Sequence, residues 1–129
     1  MKLLVIDDEP SLVELLSSML DQSKTAIDRV ETSRGALNYV RKQQPDLILL
    51  DDIGSQMDKP ELTKKLRKES NAPILILSAV TNPMMVAKAL DAGADDYLVK
   101  PVSSSILMAY INKYVRRAGL KINVRASIV

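Results

Sequence analysis

The chain has 129 residues, 47% hydrophobic and 26% charged, with a formal net charge of +2, the profile of one soluble domain long enough to bury a core. It holds no Cys and no His, which excludes disulfides, thiolate or imidazole metal sites and His-based acid–base chemistry, and suits a reducing cytoplasm. Residues 1–96 carry 12 basic and 16 acidic side chains, whereas residues 97–129 carry six basic and no acidic ones, so a cation site is expected early and an anionic contact late.

With four Tyr and neither Phe nor Trp, the core must be aliphatic and methionine-filled. Met1-Lys2 leads straight into Leu3-Leu4-Val5-Ile6, too short for a signal peptide or a membrane span. This run, ended by Asp7-Asp8-Glu9, reads as the first strand. Pro10 suits the first turn of a helix, and Leu12, Leu15, Leu16, Met19 and Leu20 follow the spacing of a core-facing stripe. A weaker, more polar strand is expected around residues 26–32, at an edge, followed by a helix carrying Ala36, Leu37 and Val40 that ends before Pro45.

Asp46-Leu47-Ile48-Leu49-Leu50-Asp51 is a short apolar run ending on an acid, the pattern of a central parallel strand buried on both faces. The third helix begins near Pro60, with Leu62 and Leu66 inward and Lys64, Lys65, Arg67 and Lys68 outward. Ile74-Leu75-Ile76-Leu77 forms a fourth strand closing on Ser78. Asn82-Pro83 opens a fourth helix with Val86, Ala89 and Leu90 inward and Gly93 as its stop. Asp96 to Pro101 is the fifth strand with its exit. Ser103 to Ser105 offer caps for a fifth helix, whose Leu107, Tyr110, Ile111, Tyr114 and Val115 share a face. Five alternations of strand and helix call for an α/β fold with a parallel sheet between helical layers. Beyond Gly119, residues 120–128 alternate apolar and polar, so residues 119–129 read as a linker, a partner-paired edge strand, or the stump of a longer protein.

Four chemically distinct groups end apolar strands: Asp7-Asp8, Asp51, Ser78 and Lys100. In a doubly wound sheet these ends lie side by side, at the edge where open α/β sheets bind ligands. Singly, each has a plainer explanation: a helix N-terminus, a turn or a solvated lysine. Together they suit phosphoryl transfer to a carboxylate. Gathered carboxylates favour a hard cation, which two carboxylates, one carbonyl and waters can hold. The metal and a lysine neutralise the transferring group, with Asp51 as the nucleophile and the Ser78 hydroxyl sensing the new oxygens.

The chain resembles the receiver domain of two-component response regulators over residues 1–117. The matching stretches are Leu4 to Pro10, Pro45 to Asp51, Pro73 to Ala79 and Gly93 to Pro101, with 27 residues from Asp51 to Ser78 and 22 from Ser78 to Lys100. The resemblance implies a flavodoxin-like five-stranded parallel sheet of order 2-1-3-4-5 in a receiver domain spanning residues 1–118. Asp51 would accept a phosphoryl group from a histidine kinase or phosphotransfer protein. Mg²⁺, or Mn²⁺ in its place, would be held by Asp8 directly, Asp7 through water, Asp51 and the Ile53 carbonyl. Lys100 would pair with the phosphoryl oxygens, the Lys100–Pro101 bond would be cis, and Ser78 with Tyr97 would form a switch pair. Simple packing at the edge of the fifth strand is the other explanation of Tyr97.

The chain departs from the family in three places. The loop from Asp52 to Pro60 has Ser55 where proline and Lys59 where glycine are usual, so its path is expected to differ; Asp52 adds a charge beside the acceptor whose effect is open. Ile53 and Val80, two beyond acceptor and switch hydroxyl, are apolar, so a long-lived phosphoryl state is expected. Val102 replaces the family's common phenylalanine, and Ile106 and Tyr110 stand where the winged-helix subfamily usually has an acid and an arginine that help build its ion-paired dimer face. The face of the fourth helix, fifth strand and fifth helix is therefore expected to bind a partner or a second copy through apolar contacts, with Met84 and Met85 on it.

An atypical receiver acting by phosphorylation-independent contact is the alternative. A dehalogenase-like phosphatase would need an acid where Ile53 stands, and an FMN carrier a phosphate loop where Asp7-Asp8-Glu9 stand. Lys113, Arg116 and Arg117 make no DNA-reading motif, so DNA contact is expected only through an effector domain outside the chain.

Overall fold

The computed structural model describes residues 1–53 and 57–119. Along the chain run β1 (Lys2–Ile6), α1 (Ser11–Met19), β2 (Ala26–Val30), α2 (Ser33–Lys42), β3 (Leu47–Leu50), α3 (Lys59–Glu69), β4 (Ile74–Ser78), α4 (Pro83–Asp91), β5 (Asp96–Val99) and α5 (Ser104–Arg117). The five strands pair in parallel in the order β2-β1-β3-β4-β5, the doubly wound sheet expected. The polar β2 is an edge strand, and β1, β3 and β4 are almost wholly apolar because helices cover both faces.

Alternation along each strand divides the core in two. Leu3, Val5, Leu47, Leu49, Leu75, Leu77 and Leu98 pack against Leu12 and Leu16 of α1 and Leu107, Ile111 and Val115 of α5. Leu4, Ile6, Ile48, Leu50, Ile74 and Ile76 pack against Ala36 and Val40 of α2, Leu62 and Leu66 of α3 and Ala89 of α4. Each fully buried aliphatic side chain contributes about 1.5–3 kcal/mol. Thr32, Asp58, Asn82 and Ser103 cap α2 to α5 by accepting a backbone N–H from the first turn, worth about 1 kcal/mol each.

Three helix orientations differ from expectation. Leu15 is 38% and Leu90 42% exposed, while Met85 is half-buried beside Ser78 and Tyr97. In α1 and α4 apolar residues surround much of the helix, so the pattern alone does not single out the core face. Arg67 is not a solvated outer residue. Its guanidinium donates to the carbonyls of Ser70 (3.2 Å), Ala72 (2.6 Å) and Gly93 (2.7 Å) and pairs with Asp95 at 2.9 Å. It thereby ties the end of α3 to the starts of β4 and β5. Gly93 has a φ of +120°, and a Cβ there would lie 3.0 Å from Arg67 Cγ, so backbone freedom and close approach both require glycine.

Residues 120–129 and Ser55 lie outside the described residues, so the expectations for the tail and for the Ser55 turn have no structural counterpart. Helix α5 ends as expected ahead of Gly119, which has a positive φ. Among the described residues no helix is long and apolar enough to cross a membrane.

Candidate functional site

The sheet hydrogen bonding runs one step past the strands and sets where the polar side chains leave it. Asp7 N–H donates to Val30 O (3.0 Å), Asp51 N–H to Ile6 O (2.8 Å) and Lys100 N–H to Ser78 O (2.9 Å). Asp7, Asp51 and Lys100 continue the alternation of the α1/α5 face, whereas Ser78 and Tyr97 belong to the α2–α4 face. The strand ends therefore build two adjoining spaces.

The first is an acidic cleft of about 290 Å³ lined by Asp7, Asp8, Glu9, Asp51, Asp52 and Lys100. Asp7 and Asp51 are buried and Asp8 is exposed. Asp51 Oδ1 accepts the Asp52 N–H at 2.6 Å and pairs with Lys100 Nζ. Lys100 Nζ also lies 3.0 Å from Asp52 Oδ2, and Asp52 Oδ1 pairs with Lys59 Nζ from the start of α3. Burial pushes the Asp7 carboxyl up to about 6. The Glu9 N–H opposes this at 3.1 Å, and the charges of Asp51 and Asp8 add to it. Burial disfavours charge on Lys100, but its bonds to Asp51 and Asp52 outweigh this and raise its pKa. Burial likewise acts upward on Asp52, yet Lys59 and Lys100 hold it below the usual aspartate value. Among the described residues no three acidic, His or Cys side chains stand ready in metal-holding geometry; here the lysines neutralise Asp51 and Asp52.

The second space is a pocket of about 230 Å³ whose lining includes Ile53, Met57, Lys59, Ser78, Met85 and Tyr97. The Ser78 hydroxyl accepts the Val80 N–H at 3.1 Å, and the Tyr97 hydroxyl donates to the Val80 carbonyl at 2.8 Å. Ser78 and Tyr97 are thus linked through one residue of the β4–α4 turn. The ring of Tyr97 packs against the α2–α4 core. Ile53 lies on this side, half-buried, and is not among the residues lining the acidic cleft. The Lys100–Pro101 peptide is cis, as the resemblance implied.

Sequence reasoning missed Lys59 and Arg67. Lys59 did carry a signal: a cation in the first turn opposes the helix dipole unless an acid holds it. Arg67 carried none, because its carbonyl partners are backbone atoms of distant turns.

A 2-1-3-4-5 parallel sheet with acids and a lysine at its strand ends defines the CheY-like class of fold. The chain belongs to the response regulator receiver domain family, whose profile matches residues 3–112. It is 36% identical over 116 residues to the DNA-binding response regulator MtrA of Mycolicibacterium smegmatis, a match covering 90% of this chain and 51% of that protein. The chain thus spans about half the length of the curated relatives it matches. A two-component response regulator from Clostridium difficile superposes with a TM-score of 0.81 at 29% identity, covering 92% of this chain and 98% of the other. The receiver domain of a sensor histidine kinase from Pseudomonas aeruginosa, with a magnesium ion in its active site cleft, has the same fold. It gives a TM-score of 0.74 at 24% identity, with 89% and 97% of the two chains covered. As a response regulator receiver domain, the chain is a signalling module.

Proposed function

We propose that residues 1–118 are a phosphoacceptor switch in which Asp51 takes a phosphoryl group from the phosphohistidine of a cytoplasmic histidine kinase or phosphotransfer protein. The observation that carries this is the buried Asp51 carboxylate, paired with Lys100 at the floor of an acidic cleft. Asp51 Oδ1 takes both the lysine and the Asp52 N–H, which leaves Oδ2 as the attacking oxygen. Lys100 sits where it can stay with the oxygens as charge builds on them.

The donor set suits a hard divalent cation. It offers only oxygens, and Asp7 is pushed up by burial beside two further carboxylates, a charge excess that a cation would relieve. Asp7, Asp8 and Asp51 would hold Mg²⁺, or Mn²⁺ in its place, with the Ile53 carbonyl as the remaining protein ligand. The ion would supply charge neutralisation at the transferring group. Ser78 would then turn its hydroxyl to the phosphoryl oxygens and release the Val80 N–H. Because Tyr97 holds the carbonyl of the same residue, the turn carries the change to α4 and β5. The readout face is α4, β5 and α5, where Met84, Leu90, Val99 and Ile106 are exposed, and it fits a protein partner or a second copy. Any DNA contact belongs to an effector segment outside this chain, with residues 119–129 as tail or linker.

The test is intact mass after incubation with Mg²⁺ and acetyl phosphate, on the wild type and on Asp51→Asn. Gain of one phosphoryl group by the wild type alone is expected; no gain by folded wild type removes the proposal. In that case the second reading stands, a receiver working by constitutive contact. The engagement of Lys100 by Asp52 is the observation in its favour.

A further inference from the structure

The proposed reaction leaves Asp52 and Lys59 without a role. Asp52 has a side chain 53% exposed, yet both of its oxygens are engaged, Oδ1 by Lys59 and Oδ2 by Lys100 at 3.0 Å. Its main chain is fixed by the site itself: the Asp52 N–H donates to Asp51 Oδ1 at 2.6 Å and its carbonyl accepts the Asp8 N–H at 3.2 Å. Lys59, only 19% exposed in its side chain, stands at the positive end of α3, where the dipole opposes it and Asp52 retains it. Lys100 thus divides its charge between two neighbouring carboxylates, one the acceptor and one not.

With acetyl phosphate as donor, the Asp51 Oδ2–P bond forms as the donor's P–O bond breaks and acetate leaves with the electron pair. The acceptor then carries roughly twice the negative charge it had, so Lys100 is drawn toward it and away from Asp52. Asp52 loses one cation and keeps Lys59. We propose that Asp52 is a positioning residue that competes with the incoming phosphoryl group for Lys100, with Lys59 as the cation that lets Asp52 release it. The proposal rests on the phosphoacceptor reading of Asp51.

The experiment measures the rate of phosphoryl gain from acetyl phosphate in Mg²⁺, by intact mass, for the wild type, Asp52→Asn, Lys59→Met, the double variant and Asp52→Glu. Asp52→Asn is expected to be about tenfold faster and Lys59→Met about threefold slower than wild type, the size of an effect from one screened charge. Because Lys59 acts through Asp52, the double variant should match Asp52→Asn alone, a non-additivity that a general loss of charge or of stability does not produce. Asp52→Glu should restore the wild-type rate to within about twofold, since it keeps the carboxylate. Should Asp52→Asn fail to fold, Asp52→Ser removes the same charge. Phosphorylated wild type with an unchanged Asp52→Asn rate, or additive effects in the double variant, overturns the competition and leaves the acceptor assignment standing. No phosphorylation of any variant removes both proposals.

Discussion

Lys100 Nζ lies 3.0 Å from Asp52 Oδ2, 48 residues away in the chain, while pairing at the same time with Asp51. The cleft is therefore held together by two cations facing two adjacent carboxylates, and Asp7, Asp8 and Glu9 are the acids left over. Its electrostatics follow from that imbalance.

Asp7 should make the metal-free protein lose stability as the pH rises. Its folded-state pKa of about 6 is raised from 3.8, so the protonated form favours folding below pH 4 and that contribution disappears as the pH passes through about 6. The raised value corresponds to at most about 3 kcal/mol, which screening in the open cleft reduces to about 1–2 kcal/mol. Asp7→Asn should accordingly be more stable than wild type by this amount at pH 7.5 in EDTA and equal to it at pH 4. Urea titrations at the two pH values check this. An advantage that persists unchanged at pH 4 would falsify it.

The phosphoryl state should be long-lived because Ile53 and Val80 present apolar side chains two residues beyond Asp51 and Ser78. Ile53 is half-buried and Val80 exposed. Ile53→Asn with Val80→Asn should shorten the half-life of the phosphorylated protein about tenfold by admitting and orienting water. Decay followed by mass after removal of the donor measures it, and an unchanged half-life rules the explanation out.

Arg67→Ala should be among the most destabilising substitutions outside the apolar core. It strips donors from the carbonyls of Ser70, Ala72 and Gly93 and leaves Asp95 without its arginine. Loss of such a partly buried, charge-assisted network costs about 2–4 kcal/mol. Arg67→Lys should recover only part of this, because a point charge cannot span the same acceptors. Chemical denaturation of both variants decides; equal stabilities of Arg67→Lys and wild type would speak against the clamp.

Phosphorylation-linked association should depend on Leu90 and Val99 rather than on Met85. Leu90 is 42% and Val99 45% exposed, whereas Met85 lines the pocket beside Tyr97. Leu90→Glu with Val99→Lys should abolish the mass increase seen by light scattering after phosphorylation, with acceptor phosphorylation retained. Association that survives both changes would place the interface elsewhere.

The order of elements, the edge position of β2 and the strand-end placement of Asp7, Asp51, Ser78 and Lys100 were legible in the sequence. Each follows from local signals: apolar runs of four residues within the strands, stopped by acids or turn residues, and helical spacing between them. The sheet order came from family resemblance, since runs buried on both faces carry no mark of their neighbours. Helix rotation was only partly legible. Pro83-Met84-Met85-Val86 offers apolar side chains in every direction, so packing against Ala89's neighbours, not the pattern, decided that Met85 turns inward and Leu90 outward. Tertiary structure alone decided the chain from Lys59 through Asp52 to Lys100 and Asp51. Asp51 and Asp52 share Lys100, from just past β5, and Asp52 also meets Lys59 from the start of α3. Ion pairs between side chains so far apart in sequence depend on the crossovers bringing three strand ends to one edge, and no local pattern encodes that distance.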